Sequence, residues 1–473
     1  MFENLDVEFL SRIQFAFTIM FHYLFPPITI GLGLIMVIIE ALWMKTRDER
    51  WKHYSMFWTR IFAINFALGV LTGIVMEFEF GTNWATYSAY VGDVFGSALA
   101  AEGIFAFFLE SGFLAILIFG WHKVSPRVHF FSTLMVFLGS CFSAVWIVVA
   151  NSWQQTPAGF HVVETVVNNA PMLRAEITDF WAMVFNPSSV IRLTHTLIGC
   201  MLLGGFMTCS ISAWYLLKNQ HVDFAKKCFK IGLCVAFAFS LFAFGTGHFQ
   251  AKKVAVTQPA KLAAFEAQFQ TDIGDAYLFG WPNQETQTVK GGIAIPGLLS
   301  FLVHGNTTTP VTGLDAFPED ERPNVWIPFQ AFHIMISLAV FFLILTTGSI
   351  LLLRKQRIFR IRILLWLFVL AFPLAIVANQ AGWIAAETGR QPWVVYPSTQ
   401  DGEFVPGLRT SDALSETVKA EQVLWSIIMF GLIYGLLFFC WLFGMKRVIS
   451  IGPVERDESH HSKSFFYIGE KDV

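Results

Sequence analysis

Long apolar stretches separated by short charged segments dominate the hydrophobic and polar pattern of the chain. Nine of these stretches can cross about 30 Å of hydrocarbon as α-helices of about 20 residues. They cover residues 13–43, 57–77, 95–119, 128–150, 188–217, 229–247, 328–353, 362–386 and 421–445. The sixth is short and is interrupted by Gly245 and Gly247. The pattern predicts an all-α fold, a polytopic transmembrane bundle of about nine helices.

Composition and net charge exclude several other classes of protein. Of 473 residues, 55% are hydrophobic and 14% are charged, with a mean hydropathy of +0.56, whereas soluble chains are about a quarter charged. The net charge of −2 favours no strongly acidic or basic partner, so nucleic-acid binding is not predicted. The six cysteines show no CxxC or CxxCH spacing, which argues against disulfides, zinc and covalent heme.

The Lys and Arg residues of the loops predict the orientation of the bundle, because these residues are retained on the cytoplasmic side. Nineteen lie in the connections and tail on one side, against ten on the other. The N-terminus is therefore predicted outside and the C-terminus in the cytoplasm. Four segments follow from this topology: 1–247 with six spans, an extracytoplasmic loop at 248–327, 328–447 with three spans, and a cytoplasmic tail at 448–473.

Ionisable and metal-capable side chains inside the spans are functional candidates, because burying them in lipid is costly. The candidates are His22, Glu102, Glu110, His195, His333, Met335 and Glu387. All except Glu110 and His333 fall at a similar depth in the predicted outer half of the bilayer. Nitrogen, thioether and carboxylate groups at one depth on separate helices suit axial ligands of hemes. A copper centre, which needs clustered histidines, is not indicated.

Six motifs carry a resemblance to a known family. They are FHYLF at 21–25, MEFEFGTNW at 76–84, AAEGIFAFFLES at 100–111, VANSWQQTP at 149–157, KLAAFE at 261–266 and AGWIAAETGRQPW at 381–393. In this order, and over nearly the whole chain, they resemble subunit I of the cytochrome bd-type quinol oxidases. The loop at 248–327 resembles the short quinol-loop type, and cyanide-insensitive relatives are among the forms that the resemblance covers.

The resemblance implies the heme-bearing subunit of a terminal quinol oxidase in a bacterial cytoplasmic (inner) membrane. Such an enzyme oxidises ubiquinol or menaquinol at the outer face and reduces dioxygen to water with cytoplasmic protons. It is electrogenic without pumping protons. Subunit II is the implied partner, and a small single-helix subunit is left open. Two alternatives remain, a diheme quinol reductase anchor and a heme-free transporter.

The resemblance also implies heme ligands. His195 and Met335 match the axial pair of a low-spin heme b, the acceptor of quinol electrons. His22 and Glu387 match ligands of two high-spin hemes, a second heme b and an oxygen-binding heme that is either heme d or a further heme b. His333 stands where many members have arginine. It lies about 200° around the helix from Met335, so only one of the two can face the heme.

Further residues are implied around the hemes and the quinol. Arg390 and Trp393 match positions beside the hemes, where a guanidinium suits propionate groups. Lys261 and Glu266 match quinol-site positions, and Gln258 lies just before them. A carboxylate near the outer surface can accept a proton from a quinol hydroxyl.

Glu102 and Glu110 are predicted to relay protons. Eight residues of a regular helix separate them by about 12 Å and by about 80° beyond two full turns. Both can therefore face the interior, with Glu110 closer to the cytoplasm. Protonatable groups staggered along the membrane normal suit a proton path. Gln380 stands where an acidic residue is common in the family, which affects the expected proton chemistry.

Overall fold

The computed structural model of the chain describes residues 6–453, apart from residues 168, 169, 355 and 401. Its helices are α1 (Val7–His22), α2 (Phe25–Thr46), α3 (Glu49–Thr82), α4 (Ala85–Tyr90), α5 (Gly92–Ala101), α6 (Phe108–Phe119), α7 (Pro126–Gln155), α8 (Phe180–Val184), α9 (Ser189–Leu217), α10 (Val222–Thr257), α11 (Pro259–Glu266), α12 (Leu298–His304), α13 (Trp326–Leu353), α14 (Arg362–Thr388) and α15 (Ala420–Ile451). Within the described residues, nine stretches are long and apolar enough to cross a membrane, which confirms the predicted helical bundle.

Two predicted spans have different bounds in the structure. The first is a helix interrupted after His22, because Pro26 and Pro27 lack backbone N–H groups and begin a new helix, α2. The sixth is longer than predicted. Gly245 and Gly247 do not end it, and α10 continues to Thr257, so the connecting loop begins ten residues later than the predicted boundary. At the C-terminus α15 runs to Ile451, and the predicted tail from residue 454 onward lies outside the described residues.

Four two-stranded antiparallel sheets, which the apolar pattern did not predict, lie in the connections at one end of the bundle. Their strands are β1 (Phe160–Val167) with β2 (Ala170–Ile177), β3 (Ala276–Asn283) with β4 (Thr288–Ile295), β5 (Trp393–Val395) with β8 (Leu408–Arg409), and β6 (Ser398–Gln400) with β7 (Glu403–Val405). We call this the outer end, because it is predicted to face outside. The inner end carries the short turns at 47–48, 120–125, 218–221 and 354–361.

Helix α9 lies at the centre of the bundle and packs against α2, α10 and α14. Its contact with α2 is so close that the two backbones touch. A Cβ atom at Gly31 would lie 2.2 Å from the carbonyl oxygen of Cys200, and one at Gly204 would lie 2.3 Å from the carbonyl carbon of Gly31. Small residues allow such contacts between membrane helices. This packing fixes α9, which carries His195, against α2, which begins three residues after His22.

Substitution at this contact should destabilise the bundle. Because the contacting atoms belong to backbone and cannot move aside, we expect Gly204→Ala to cost at least about 1–3 kcal/mol, as overpacking does, and to lower the thermal midpoint of the detergent-solubilised protein. The matched control is Gly348→Ala in α13, where an added Cβ meets nothing within 4 Å. Equal midpoints for the two variants would contradict the close contact.

Candidate functional site

His22 and His195 are held by the same kind of hydrogen bond on two separate helix pairs. The Nδ1 atom of His22 lies 2.9 Å from the hydroxyl of Thr72 on α3, and that of His195 lies 3.0 Å from the hydroxyl of Thr246 on α10. Each threonine hydroxyl donates its own proton to a carbonyl of the preceding helical turn. Each histidine must therefore donate through Nδ1, which leaves the Nε2 lone pair free to bind a metal.

Three glycines lie next to the candidate metal ligands, at positions where a side chain would take up space beside the donor atoms. A Cβ atom at Gly73 would lie 3.3 Å from the Cε1 atom of His22, and one at Gly247 would lie 3.6 Å from the Cε1 atom of His195. At Gly382 on α14 a Cβ would lie 2.8 Å from the sulfur of Met335. Because these positions lack side chains, the nitrogen and sulfur donors fit a planar macrocycle between the helices.

His333 is not positioned as a metal ligand, because both of its ring nitrogens contact backbone oxygens. Its Nδ1 atom lies 2.8 Å from the carbonyl oxygen of Phe329, and its Nε2 atom lies 2.9 Å from that of Tyr277 in β3. Nε2 is also 3.9 Å from the carboxylate of Glu266. Since both ring nitrogens face backbone oxygen acceptors, neither is directed at a metal.

Glu387 is the centre of a buried charged cluster. One carboxylate oxygen lies 2.6 Å from Nη2 of Arg390, and the other accepts a hydrogen bond of 3.0 Å from the amide of Asn151 on α7. The Arg390 guanidinium also donates to Gln154 and to the carbonyl of Val394. Paired in this way, a buried carboxylate is held as an anion, which suits a ligand for a cationic iron. The Nε atom of Arg390 has no hydrogen-bond partner within the described residues.

Arg192 joins this cluster, although no motif pointed to it. It lies one turn before His195 on α9, and its Nη2 donates a hydrogen bond of 2.6 Å to the side-chain oxygen of Asn151. Asn151 therefore bridges Arg192 and Glu387. Asn151 belongs to the VANSWQQTP motif, for whose residues the sequence predicts no individual roles. Its position near the outer end of an apolar span was the available signal.

Lys261 lies beside the Glu387 cluster rather than in solvent. Only 1% of its surface is exposed, and its Nζ donates to the amide oxygens of Gln155 and Gln258. Burial, reinforced by the nearby Arg192, lowers the pKa of the Lys261 ammonium well below its usual range. The loop segment α11 and the end of α14 thus form one continuous polar region.

Glu266, the last residue of α11, is buried on the other side of this helix. Burial raises the pKa of its carboxyl to about 8. Its nearest ionisable neighbour is His333, whose Nε2 lies 3.9 Å from the carboxyl. A carboxyl poised in this range can exchange a proton near neutral pH, which is what an acceptor for a quinol proton requires.

Trp393 is set back from Glu387. It lies in β5, and the guanidinium of Arg409 stacks over its ring at 5.1 Å from the centroid. This cation–π contact joins Trp393 to β8. Arg390 contacts the Glu387 carboxylate directly, and the role of Trp393 beside the hemes stays a prediction.

Glu102 and Glu110 both contact α7. The hydroxyl of Ser143 lies 2.5 Å from the carboxylate of Glu102. A Cβ atom at Gly139 would lie 2.5 Å from Cγ of Glu110. The helix forms a π-helical turn from Glu102 to Phe107. The angular offset predicted for a regular helix therefore does not apply to this segment. Because a π turn closes at i+5, it rotates the chain less per residue and removes much of the expected offset of about 80°.

Protein side chains alone do not form a metal cluster in this region. No group of three or more His, Cys, Asp or Glu residues within the described part of the chain could hold a metal ion. The candidate donors are instead distributed singly, on α1, α9, α13 and α14. This distribution is what separate macrocycle-bound irons require, since the macrocycle supplies four of the ligands.

Comparison with known families identifies the family to which the chain belongs. Residues 10–453 match the family described as cytochrome bd terminal oxidase subunit I. The chain belongs to this family. A curated relative from Bacillus subtilis (strain 168), named cytochrome bd ubiquinol oxidase subunit 1, is 35% identical over 95% of both chains. The cytochrome bd-II ubiquinol oxidase subunit 1 of Escherichia coli (strain K12) is 32% identical, over 95% of this chain and 97% of that protein.

A solved structure supports the same assignment. The bd oxidase from Geobacillus thermodenitrificans superposes with a TM-score of 0.84 at 29% identity, covering 95% of this chain and 99% of the matched chain. Membership of the family implies bound hemes, a quinol substrate and a partner subunit II. With nine membrane-length helices among its described residues, the chain is a multi-pass protein of the bacterial inner membrane.

The threonine partners of the histidines should control heme binding. Thr246→Val removes the acceptor that orients His195, and loss of such a partner typically weakens metal binding or activity by about 10–100-fold. We expect less heme absorbance, or a changed heme spectrum, in the purified protein. Thr194→Val is the control, since the hydroxyl of this adjacent residue bonds only to Val190 of its own helix. Identical spectra for both variants would contradict the role of Thr246.

Proposed function

We propose that this chain is the heme-bearing subunit of a terminal quinol oxidase that oxidises membrane quinol near the outer end of the bundle and reduces dioxygen to water. The observation that carries the proposal is the paired arrangement of His22 and His195. Each is fixed with Nε2 free, and each faces a glycine on a neighbouring helix. Family membership makes a terminal oxidase the reaction to which this arrangement belongs.

The four candidate iron ligands are assigned to three hemes. His195 and Met335 hold a low-spin heme b, while His22 and Glu387 each hold a high-spin heme, one of type b and one either heme d or a further heme b. The hemes supply electron transfer and oxygen binding. Arg390 and Arg192 balance the charge of the Glu387 carboxylate in the buried cluster, and Arg390 suits the anionic propionates of a heme.

The region around α11 binds and deprotonates quinol. Gln258 and Lys261 supply polar groups for a quinol oxygen, because their side chains lie together at the start of α11. The Glu266 carboxylate accepts a proton from the quinol hydroxyl and becomes a neutral carboxyl, while His333, whose Nε2 lies 3.9 Å away, stabilises the carboxylate before the transfer. Proton release then occurs at the outer end, beside the low-spin heme ligand Met335, two residues from His333.

Protons for oxygen reduction reach the site from the cytoplasm through Glu110 and then Glu102. Both carboxyls face α7, and they are staggered along the membrane normal. Because quinol protons leave at one side and these protons enter at the other, turnover separates charge without a pump. Each charge that crosses the full membrane stores about 2.3 kcal/mol per 100 mV.

The ligand on α13 can be tested by two substitutions on that helix. We expect Met335→Leu to leave the heme high-spin or its site vacant, because the thioether is lost. His333→Ala should keep a low-spin heme with a shifted potential, since His333 bonds to backbone carbonyls. Optical and electron paramagnetic resonance spectra of the two variants show which of the two residues is the heme ligand. The reverse pattern would mean that the heme has two histidine ligands.

Quinol oxidation should depend on the ionisation of Glu266. The pKa of this carboxyl is about 8, so it is mostly protonated below that pH and can accept a quinol proton mainly above it. The rate of heme reduction by quinol should therefore rise as the pH increases through about 8, and Glu266→Gln should abolish that rise. Stopped-flow heme reduction measures the rate, with dithionite as the control reductant. An unchanged pH profile in the variant would assign the proton to another group.

A further inference from the structure

A second buried carboxylate contacts α7 near the inner end of the bundle. Glu40 on α2 is fully buried and accepts hydrogen bonds of 2.9 Å from the hydroxyls of Ser55 and Thr133. Its other oxygen lies 3.1 Å from Nδ1 of His129, which is also buried. These contacts join α2, α3 and α7 through a single charged group.

Both ring nitrogens of His129 lie within hydrogen-bonding distance of an oxygen atom. Its Nδ1 faces the carboxylate of Glu40, and its Nε2 lies 3.2 Å from the carbonyl oxygen of Leu117 on α6. A neutral imidazole has only one N–H, so only the imidazolium donates to both acceptors. The ring of Trp121 packs against the imidazole, with 3.8 Å between the ring centroids. Glu40 and His129 can therefore store a proton away from water.

The polar groups of α7 that contact carboxyls lie along one stripe of that helix. The stripe consists of His129, Thr133, Ser140, Ser143 and Asn151. At about 100° per residue, all five fall within about 80° of one another. From first to last they cover about 33 Å, which matches the thickness of the hydrocarbon. A stripe of this length on one helix connects the two ends of the bundle.

Four members of the stripe hydrogen-bond to a carboxyl group supplied by another helix, and the hydroxyl of the fifth, Ser140, has no hydrogen-bond partner within the described residues. His129 and Thr133 contact Glu40. Ser140 lies beside Glu110. Farther toward the outer end, Ser143 contacts Glu102, and Asn151 contacts Glu387. The order of these carboxyls along α7 is the order in which a proton moving from the inner end would meet them.

From these contacts we propose that Glu40 and His129 form the group that takes up protons from the cytoplasm and passes them along α7 to Glu110. A proton binds to the pair at the inner end, leaves His129 or Glu40, and is accepted by Glu110. No other bond changes. Thr133 and Ser140 are seven residues apart, or about 10 Å, a distance that three or four hydrogen-bonded water molecules can bridge. The inference rests on the proposed function, in which Glu110 conducts protons to the oxygen site.

The test compares Glu40→Gln with Glu110→Gln in the complete oxidase. Glutamine keeps an acceptor for Ser55 and Thr133 but cannot exchange protons. We expect Glu40→Gln to slow oxygen consumption roughly tenfold or more and to slow charge separation equally. Heme content and heme reduction by quinol should stay unchanged. Glu40→Asp should restore much of the rate, a rescue that lost packing would not give. Asp223→Asn removes an exposed carboxylate at the same end and should have no effect.

The outcomes separate the inference from the proposed function. If Glu110→Gln slows turnover but Glu40→Gln does not, the uptake role is wrong and the function of Glu110 stands. If neither variant slows turnover or charge separation, the entire proton route is wrong. Should Glu40→Gln lose its hemes, the double variant Glu40→Leu with His129→Leu removes both charges together, a change that buried pairs often tolerate. We expect it to fold with hemes and turn over slowly; normal turnover would overturn the inference.

Discussion

A charged or strongly polar group inside a membrane is stable only where another group pairs with it, because the hydrocarbon offers no water to solvate it. In this chain α7 meets much of that requirement. Its hydroxyl, imidazole and amide groups contact carboxyls from α2, from the π turn before α6, and from α14. The buried carboxyls Glu40, Glu102, Glu110 and Glu387 are held where they are because each has a neighbour on this helix.

The same constraint explains the cluster at the outer end. Glu387, Arg390 and Arg192 bring together two positive charges and one negative charge, with Asn151 bridging Glu387 and Arg192. Lys261 nearby adapts by a lowered pKa, so that the excess positive charge is reduced. An anionic cofactor group would complete the balance. The charge of this cluster, as well as its shape, therefore suits the heme propionates that the family requires.

The spans could be predicted from sequence because about 20 consecutive apolar residues have few other uses. The heme ligands stay predictions, based on His, Met and Glu side chains at one depth in the spans together with the family motifs. What escaped prediction depends on contacts between distant segments. Arg192 and Asn151 meet across helices. Glu40 and His129 lie inside predicted spans but in no motif. The π turn at Glu102 has no simple sequence signature, because it is one extra residue in an otherwise regular helix.

The central claim is that single donors on separate helices hold three hemes near the outer end of the bundle. An optical redox titration of the purified oxidase, with its partner subunit present, tests this claim most directly. The account predicts one low-spin component and two high-spin components, each titrating with its own midpoint potential. A protein that purifies intact with its partner but shows no heme absorbance, or only a single heme component, would contradict it.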